Sequence, residues 1–266
     1  MPKVSIGDAD IYYERHGQGP PLMLVPGLGG TGAVWRNQLP ALAKHFEVVI
    51  HDHRGCGQSS PSRITYSVGQ MASDALKLMD ALAIERAHYL GHSTGGAMGQ
   101  VLAIDHPERI DGLVLSATWA KSDVYFKRLF AARKHALASG GPEAYLKASS
   151  LALLPPWFIA ERGAEVEAME TLALRNFGVP EIWMGRIDAI CAHDRVARLD
   201  EIRHRTLVLC AEDDMVTPLY FSKELAAKIP NATLKTLKTG GHMCMVTVPD
   251  DYNRAVVDWL TAIERV

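Results

Sequence analysis

An alternation along the chain sets the tightest limit on its fold: short apolar runs closed by Gly, Pro or Asp take turns with longer stretches of helical period. That order is the signature of a largely parallel sheet covered by helices. Strands are expected at 21–25, 46–52, 87–91, 112–117, 206–211 and 233–237. A hairpin pairing 3–6 with 10–13 across Gly7 and Asp8 makes the first strands antiparallel. Helices are expected at 34–45, 67–83, 94–106, 218–228 and 250–263. The second of these carries Met71, Ala75, Leu78, Met79 and Leu82 on one stripe, a face suited to packing on a sheet.

Between 118 and 198 the alternation stops. Only helical pattern remains, interrupted at Gly140-Gly141-Pro142, Pro155-Pro156 and Gly178-Val179-Pro180. The chain therefore reads as one α/β core, 1–117 with 199–266, carrying 118–198 as a helical cap. A length of 266 residues with 48% hydrophobic content supports such a core, and its charge balance narrows the partners. With 28 Lys+Arg scattered among 30 Asp+Glu, there is no basic patch for nucleic acid or an anionic membrane. The longest uncharged stretch, 17–35, is broken by Pro20, Pro21, Pro26 and several glycines, so it is not a membrane span. The start, MPKVSIGDAD, lacks the pattern of a secretory signal, and cytoplasmic residence is the expectation. Cys56, Cys191, Cys210 and Cys244 are too scattered for a zinc site or a disulfide framework; buried free thiols are expected, with no metal and no cofactor. The partner implied is a small molecule, and a homodimer is compatible.

The sharpest local signal is Gly91-His92-Ser93-Thr94-Gly95-Gly96, between an apolar strand and a helical stretch. Gly-x-Ser-x-Gly alone is weak, but its position gives it meaning. A serine at a tight strand-to-helix turn takes a strained backbone, and flanking glycines let neighbouring backbone approach. The turn lifts the hydroxyl above the sheet and sets the Thr94 N–H at a helix N-terminus, where developing negative charge is stabilised. A serine hydroxyl needs a base, and the base needs an orienting acid. Glu212-Asp213-Asp214 follows one predicted strand and Gly240-Gly241-His242 follows another. Ser, Asp, His in that order, each just beyond a strand, is the arrangement of an α/β-hydrolase.

On these pieces the chain resembles the α/β-hydrolase superfamily over nearly its whole length. The matching segments are Val25-Pro26-Gly27-Leu28-Gly29-Gly30, Asp52-His53-Arg54-Gly55-Cys56-Gly57-Gln58-Ser59, Gly91 to Gly96, Asp214-Met215-Val216-Thr217-Pro218 and Gly241-His242. The resemblance implies an α/β-hydrolase fold, a mostly parallel sheet of about eight strands with a helical cap after the sixth. It selects Asp214 over Asp213 as the acid, four residues before the Pro, and gives the second oxyanion donor to the N–H of Leu28. Arg54 is expected to anchor the turn after Asp52, and His92 to be a packed neighbour of the nucleophile.

A rival reading uses the same loop. Gly27-Leu28-Gly29-Gly30-Thr31-Gly32 fits Gly-x-Gly-x-x-Gly, with Asp52 about 20 residues beyond, as a dinucleotide-binding fingerprint requires. It leaves Ser93, Asp214 and His242 unexplained.

Substrate selection should lie in the cap. The candidate contacts are Trp119, Phe130, Arg133, Trp157, Trp183, Arg186 and, beside the catalytic histidine, Met243. Arg133 shares a helical stripe with Phe126, Leu129, Phe130 and Leu137; a guanidinium on an apolar face needs an anion or a path to water, so it is a candidate for a substrate carboxylate. Segments 130–147 and 154–159 look like the cover of aminoacrylate hydrolases of uracil breakdown, and Trp35-Arg36-Asn37-Gln38-Leu39-Pro40-Ala41-Leu42 looks like 3-oxoadipate enol-lactonases. Those relatives imply a small ester, lactone, amide or carbamate. Carbon–carbon bond hydrolysis on the same triad, a ligand receptor built on the fold, and an NAD(P)-dependent oxidoreductase are the competing classes.

Overall fold

The computed structural model describes residues 2–264. Eight strands form one sheet in the order β1-β2-β4-β3-β5-β6-β7-β8. They are β1 (Lys3–Ser5), β2 (Asp10–His16), β3 (Pro21–Val25), β4 (Glu47–His51), β5 (Ala87–His92), β6 (Ile110–Ser116), β7 (Thr206–Ala211) and β8 (Ala232–Leu237). The pairs β1–β2 and β2–β4 are antiparallel and the others parallel. Every expected strand is present.

The helices are α1 (Leu39–Leu42), α2 (Val68–Ala81), α3 (Thr94–Asp105), α4 (Val124–Leu153), α5 (Pro156–Glu161), α6 (Gly163–Arg175), α7 (Pro180–Cys191), α8 (Leu219–Lys228), α9 (Cys244–Thr247) and α10 (Pro249–Ile263). One expectation fails. The helix foreseen at 34–45 is a 3-10 turn, Gly32–Trp35, followed by the single turn α1. Pro40 lacks the N–H that a continuous helix would use there and its ring crowds the preceding turn, so the segment splits.

Alternation within the strands divides the core. Leu22, Leu24, Ile50, Leu90, Val114, Leu207 and Leu209 face α10 through Tyr252, Val256 and Leu260. Met23, Val25, Val49, Tyr89, Leu113, Leu115 and Val208 face the other way, with α2, α3 and α8. Neighbours along a strand point to opposite faces, so a strand buried on both must be apolar throughout, which is why these runs stood out in the sequence. On α2, Met71, Ala75, Leu78 and Met79 are buried as the stripe predicts.

Helices α4 to α7 lie between β6 and β7. Gly141, with φ 73°, breaks α4 into two helices at Gly141-Pro142. A bridge between Lys121 and Asp194, with an ion pair of 2.8 Å, joins the two ends of this insertion. No helix among the described residues is long and apolar enough to cross a membrane. All four cysteines are free, and Cys56, Cys210 and Cys244 are buried.

Arg54 ties the turn after β4 to α2. Its guanidinium meets Asp74 at 2.8 Å through both Nε and Nη2, and Asp8 at 2.7 Å. Replacing it (Arg54→Leu) strands a largely buried Asp74 carboxylate and should lower the unfolding free energy by about 3–5 kcal/mol in urea titration. Asp8→Asn, at a well-exposed partner, should shift the curve far less.

Candidate active site

Ser93 stands between the end of β5 and the start of α3 with φ 54° and ψ −115°, a left-handed backbone that a serine adopts only when its surroundings force it. Three close approaches supply the force. A Cβ on Gly91 would be driven into the Gly95 carbonyl, one on Gly95 into the Val25 carbonyl, and one on Gly96 would lie 2.7 Å from Cβ of Thr118. Two hydrogen bonds clamp the residue itself: the Ser93 N–H donates to the Ser116 carbonyl at 2.8 Å, and the Thr118 hydroxyl donates to the Ser93 carbonyl at 2.7 Å.

Asp214 and His242 lie on the loops after β7 and β8. His242 Nδ1 is 2.9 Å from Oδ2 and 3.1 Å from Oδ1 of Asp214, and both side chains are buried. The carboxylate also accepts from the N–H groups of Val216 and Thr217 and from the Thr217 hydroxyl, at 2.7, 2.9 and 2.8 Å. Burial alone would raise the Asp214 pKa, but the His242 ring and the Thr217 donors outweigh it and hold the carboxyl below its ordinary value. Among the described residues, Nε2 of His242 makes no hydrogen bond, to Ser93 or to any other group.

The preceding aspartate has a different task. Asp213 accepts from the Gly241 N–H at 2.8 Å and from the Thr239 hydroxyl at 2.6 Å, which fastens the histidine loop to the acid loop. The residues missed in the sequence are these supports: Thr118, Asp213, Thr217 and Thr239. Only Thr217 carried a signal, because it sits inside the Asp-Met-Val-Thr-Pro segment.

The loop after β3 brings the first oxyanion candidate close. A Cβ on Gly27 would be 3.1 Å from Cβ of Ser93, and the Leu28 N–H makes no backbone hydrogen bond among the described residues. Thr94, the second candidate, is the first residue of α3, where N–H groups lack an intrahelical acceptor. His92 is buried, its ring centre 4.9 Å from that of His242. The dinucleotide reading finds no support: Asp52 is buried and accepts from the N–H groups of Gly32 and Gln58, both at 2.8 Å, leaving no carboxylate face for a ribose. The loop leads into a single 3-10 turn, so it lacks the helix N-terminus on which a pyrophosphate would sit.

The candidate substrate contacts separate. Phe130 and Arg133 share one buried box, with the guanidinium carbon 4.7 Å from the Phe130 ring and 5.0 Å from that of Tyr145. Arg133 donates to Ser149 Oγ at 3.0 Å and Tyr145 Oη at 2.8 Å, with no carboxylate in ion-pair range among the described residues. Trp119 is packed at the base of the insertion, 4.5 Å from Phe126, and donates to Ser122. Trp157 donates to Thr239 at 2.9 Å. Trp183 stacks on Phe177 at 4.5 Å and stands over Gly29. Met243 lines a cleft with Leu146, Leu153 and Val166. Arg186 holds the Leu28 carbonyl and His53 with its guanidinium.

Asp214→Asn should keep the fold and lower kcat by about 10⁴-fold through the wrong histidine tautomer. Because the folded carboxyl is held below its unfolded value of about 3.9, it stabilises the protein above that pH and ceases to do so as the pH falls through the folded value. The difference in Tm between wild type and Asp214→Asn should therefore shrink as buffers are taken below about pH 4.

A family model described as the alpha/beta hydrolase fold matches residues 20–141. Over 265 residues, all of both chains, the sequence is 38% identical to a protein of Azorhizobium caulinodans that carries the provisional name carbamate hydrolase RutD. A Caulobacter vibrioides protein with the same name is 40% identical over 98% of this chain and 99% of its own. Among solved structures, the enol-lactonase from Burkholderia xenovorans superposes with a TM-score of 0.90 at 26% identity, over 98% of this chain and 100% of that one. A Pseudomonas aeruginosa hydrolase does so at 0.87 and 31%, over 97% of each. The chain belongs to the α/β-hydrolase family and is a hydrolase.

Proposed function

We propose that the protein is a cofactor-independent serine hydrolase of small carbamates, lactones or esters, with Ser93, His242 and Asp214 as its triad. One observation carries the reading: a buried His242–Asp214 pair has its imidazole 4.9 Å, ring to ring, from His92, the residue before a serine in a forced left-handed turn. With Nδ1–H donating to Asp214, Nε2 keeps its lone pair. It takes the Ser93 proton as Oγ attacks the acyl carbon. The carbonyl π pair moves to oxygen, and the N–H groups of Leu28 and Thr94 receive that oxyanion; one such donor is typically worth roughly 3–4 kcal/mol. Collapse breaks the bond to the leaving group, which departs with the proton from Nε2. Water then repeats the sequence on the acyl-enzyme, and Ser93 is restored.

Arg133 supports a substrate with a carboxylate. Its guanidinium, boxed by Phe130 and Tyr145 and lacking an acidic partner, would gain more from an anion than from the neutral hydroxyls it now meets.

Ser93→Ala should reduce kcat by on the order of 10⁶ if the triad acts as a unit. Fluorophosphonate labelling of wild type, mapped by peptide mass, should fall on Ser93, and near-full activity in the alanine variant would end the mechanism. Arg133→Ala should raise KM for anionic esters or lactones by about tenfold, the scale of one charge-assisted contact, and leave neutral ones within about twofold. A panel containing simple esters and a vinylogous diketone separates acyl transfer from carbon–carbon cleavage.

A further inference from the structure

The insertion places a charge in the core that the mechanism above does not use. Arg186 on α7 is fully buried, and no carboxylate lies within ion-pair distance among the described residues. Its Nε and Nη2 donate to the Leu28 carbonyl at 3.3 and 3.1 Å, and Nη2 also donates to Nδ1 of His53 at 2.7 Å. A guanidinium only donates, so His53 must accept with a bare Nδ1. Burial and the neighbouring Arg186 charge hold His53 well below its ordinary pKa, in the neutral form this contact needs. Nη1 of Arg186 and Nε2 of His53 have no partner among the described residues. An unpaired buried cation is an expensive occupant of a site that an apolar side chain would fill more stably, so its position calls for a reason.

The reason lies in which carbonyl it grips. The Gly30 N–H bonds the Gly27 carbonyl at 3.0 Å, closing a four-residue turn whose central peptide is Leu28–Gly29. The Gly27 carbonyl and the Leu28 N–H share one planar peptide, so the Gly30 bond to that carbonyl also sets the direction of the Leu28 N–H. That bond persists only while the turn is held, and the part of the turn free to rotate is its central peptide. Two N–H groups of one planar fork leave it a single orientation. The backbone N–H of His53 holds the carbonyl of Gly30, the last residue of the turn, at 2.7 Å. Trp183, one helical turn before Arg186, covers Gly29.

We propose that Arg186 is a positioning residue: through the Leu28 carbonyl, the insertion fixes the turn that presents the Leu28 N–H to the developing oxyanion. The inference rests on the serine-hydrolase reading and adds a residue that acts through another.

The test compares kcat and KM for p-nitrophenyl acetate with affinity for an aryl trifluoromethyl ketone. In the ketone adduct Ser93 Oγ bonds the carbonyl carbon, its proton passes to His242, and the carbonyl pair becomes an oxyanion. Arg186→Gln should lower kcat by about 10–100-fold, part of the effect of losing one oxyanion donor, with KM within about threefold. Ketone affinity should weaken by the same factor, and Arg186→Lys should recover part of both. If Arg186→Gln does not fold, His53→Leu, which removes the acceptor orienting Nη2, should give the same paired loss at smaller size. Unchanged kcat, or a kcat loss without loss of ketone affinity, would overturn the inference while leaving the hydrolase intact. Wild type that forms no ketone adduct at Ser93 would overturn the hydrolase reading and this inference with it.

Discussion

The site depends on a peptide backbone held where a serine does not rest unaided. At φ 54° and ψ −115°, Ser93 stands in a conformation that costs on the order of 1–3 kcal/mol, and only dense surroundings keep it there. Those surroundings are the sheet itself: the Ser116 carbonyl from β6, Thr118 just beyond it, and the Val25 carbonyl from β3 against Gly95. Parallel pairing of β5 with β3 and β6 thus supplies more than stability. It provides the fixed walls against which the turn is compressed, and α3, buried along almost its full length, cannot slide to relieve it.

Around that point the remaining groups arrive on loops, each braced by a second loop. Asp214 is fixed by Thr217, the histidine loop by Asp213, and the Gly27–Gly30 turn by His53 and Arg186. Loops are the pliable part of an α/β architecture, and preorganised chemistry requires that they be made stiff. Here stiffness comes from carboxylates and carbonyls that collect backbone and side-chain donors, not from apolar packing alone.

The strands and the serine turn were legible in the sequence because burial on both faces and a strained turn each leave a compositional mark: unbroken apolar runs in one case, glycines at 91, 95 and 96 in the other. The placement of Ser93, Asp214 and His242 just beyond three strands was legible because strand ends are recognisable. The helix expected at 34–45 failed on Pro40, whose effect outweighs the apolar period of its neighbours. The contacts of Arg186 were not legible for a different reason. One-dimensional pattern shows that a cation sits on a buried face, yet its partners at 28 and 53 are more than a hundred residues away. Arg133 and Arg186 look alike in sequence; only the fold separates the guanidinium lying among hydroxyls from the one gripping a backbone carbonyl.

The insertion does not merely rest over the core. The Met243 N–H bonds the Leu153 carbonyl at 3.1 Å, Trp157 reaches Thr239, and any side chain at Gly241 would strike Pro155. The end of α4 and the start of α5 are thereby sewn to the segment that carries the imidazole. An exchange of covers between relatives, made to transplant selectivity, would need to carry residues 239–243 along as part of the cassette, since a foreign cover on the native loop would leave His242 without its outer wall.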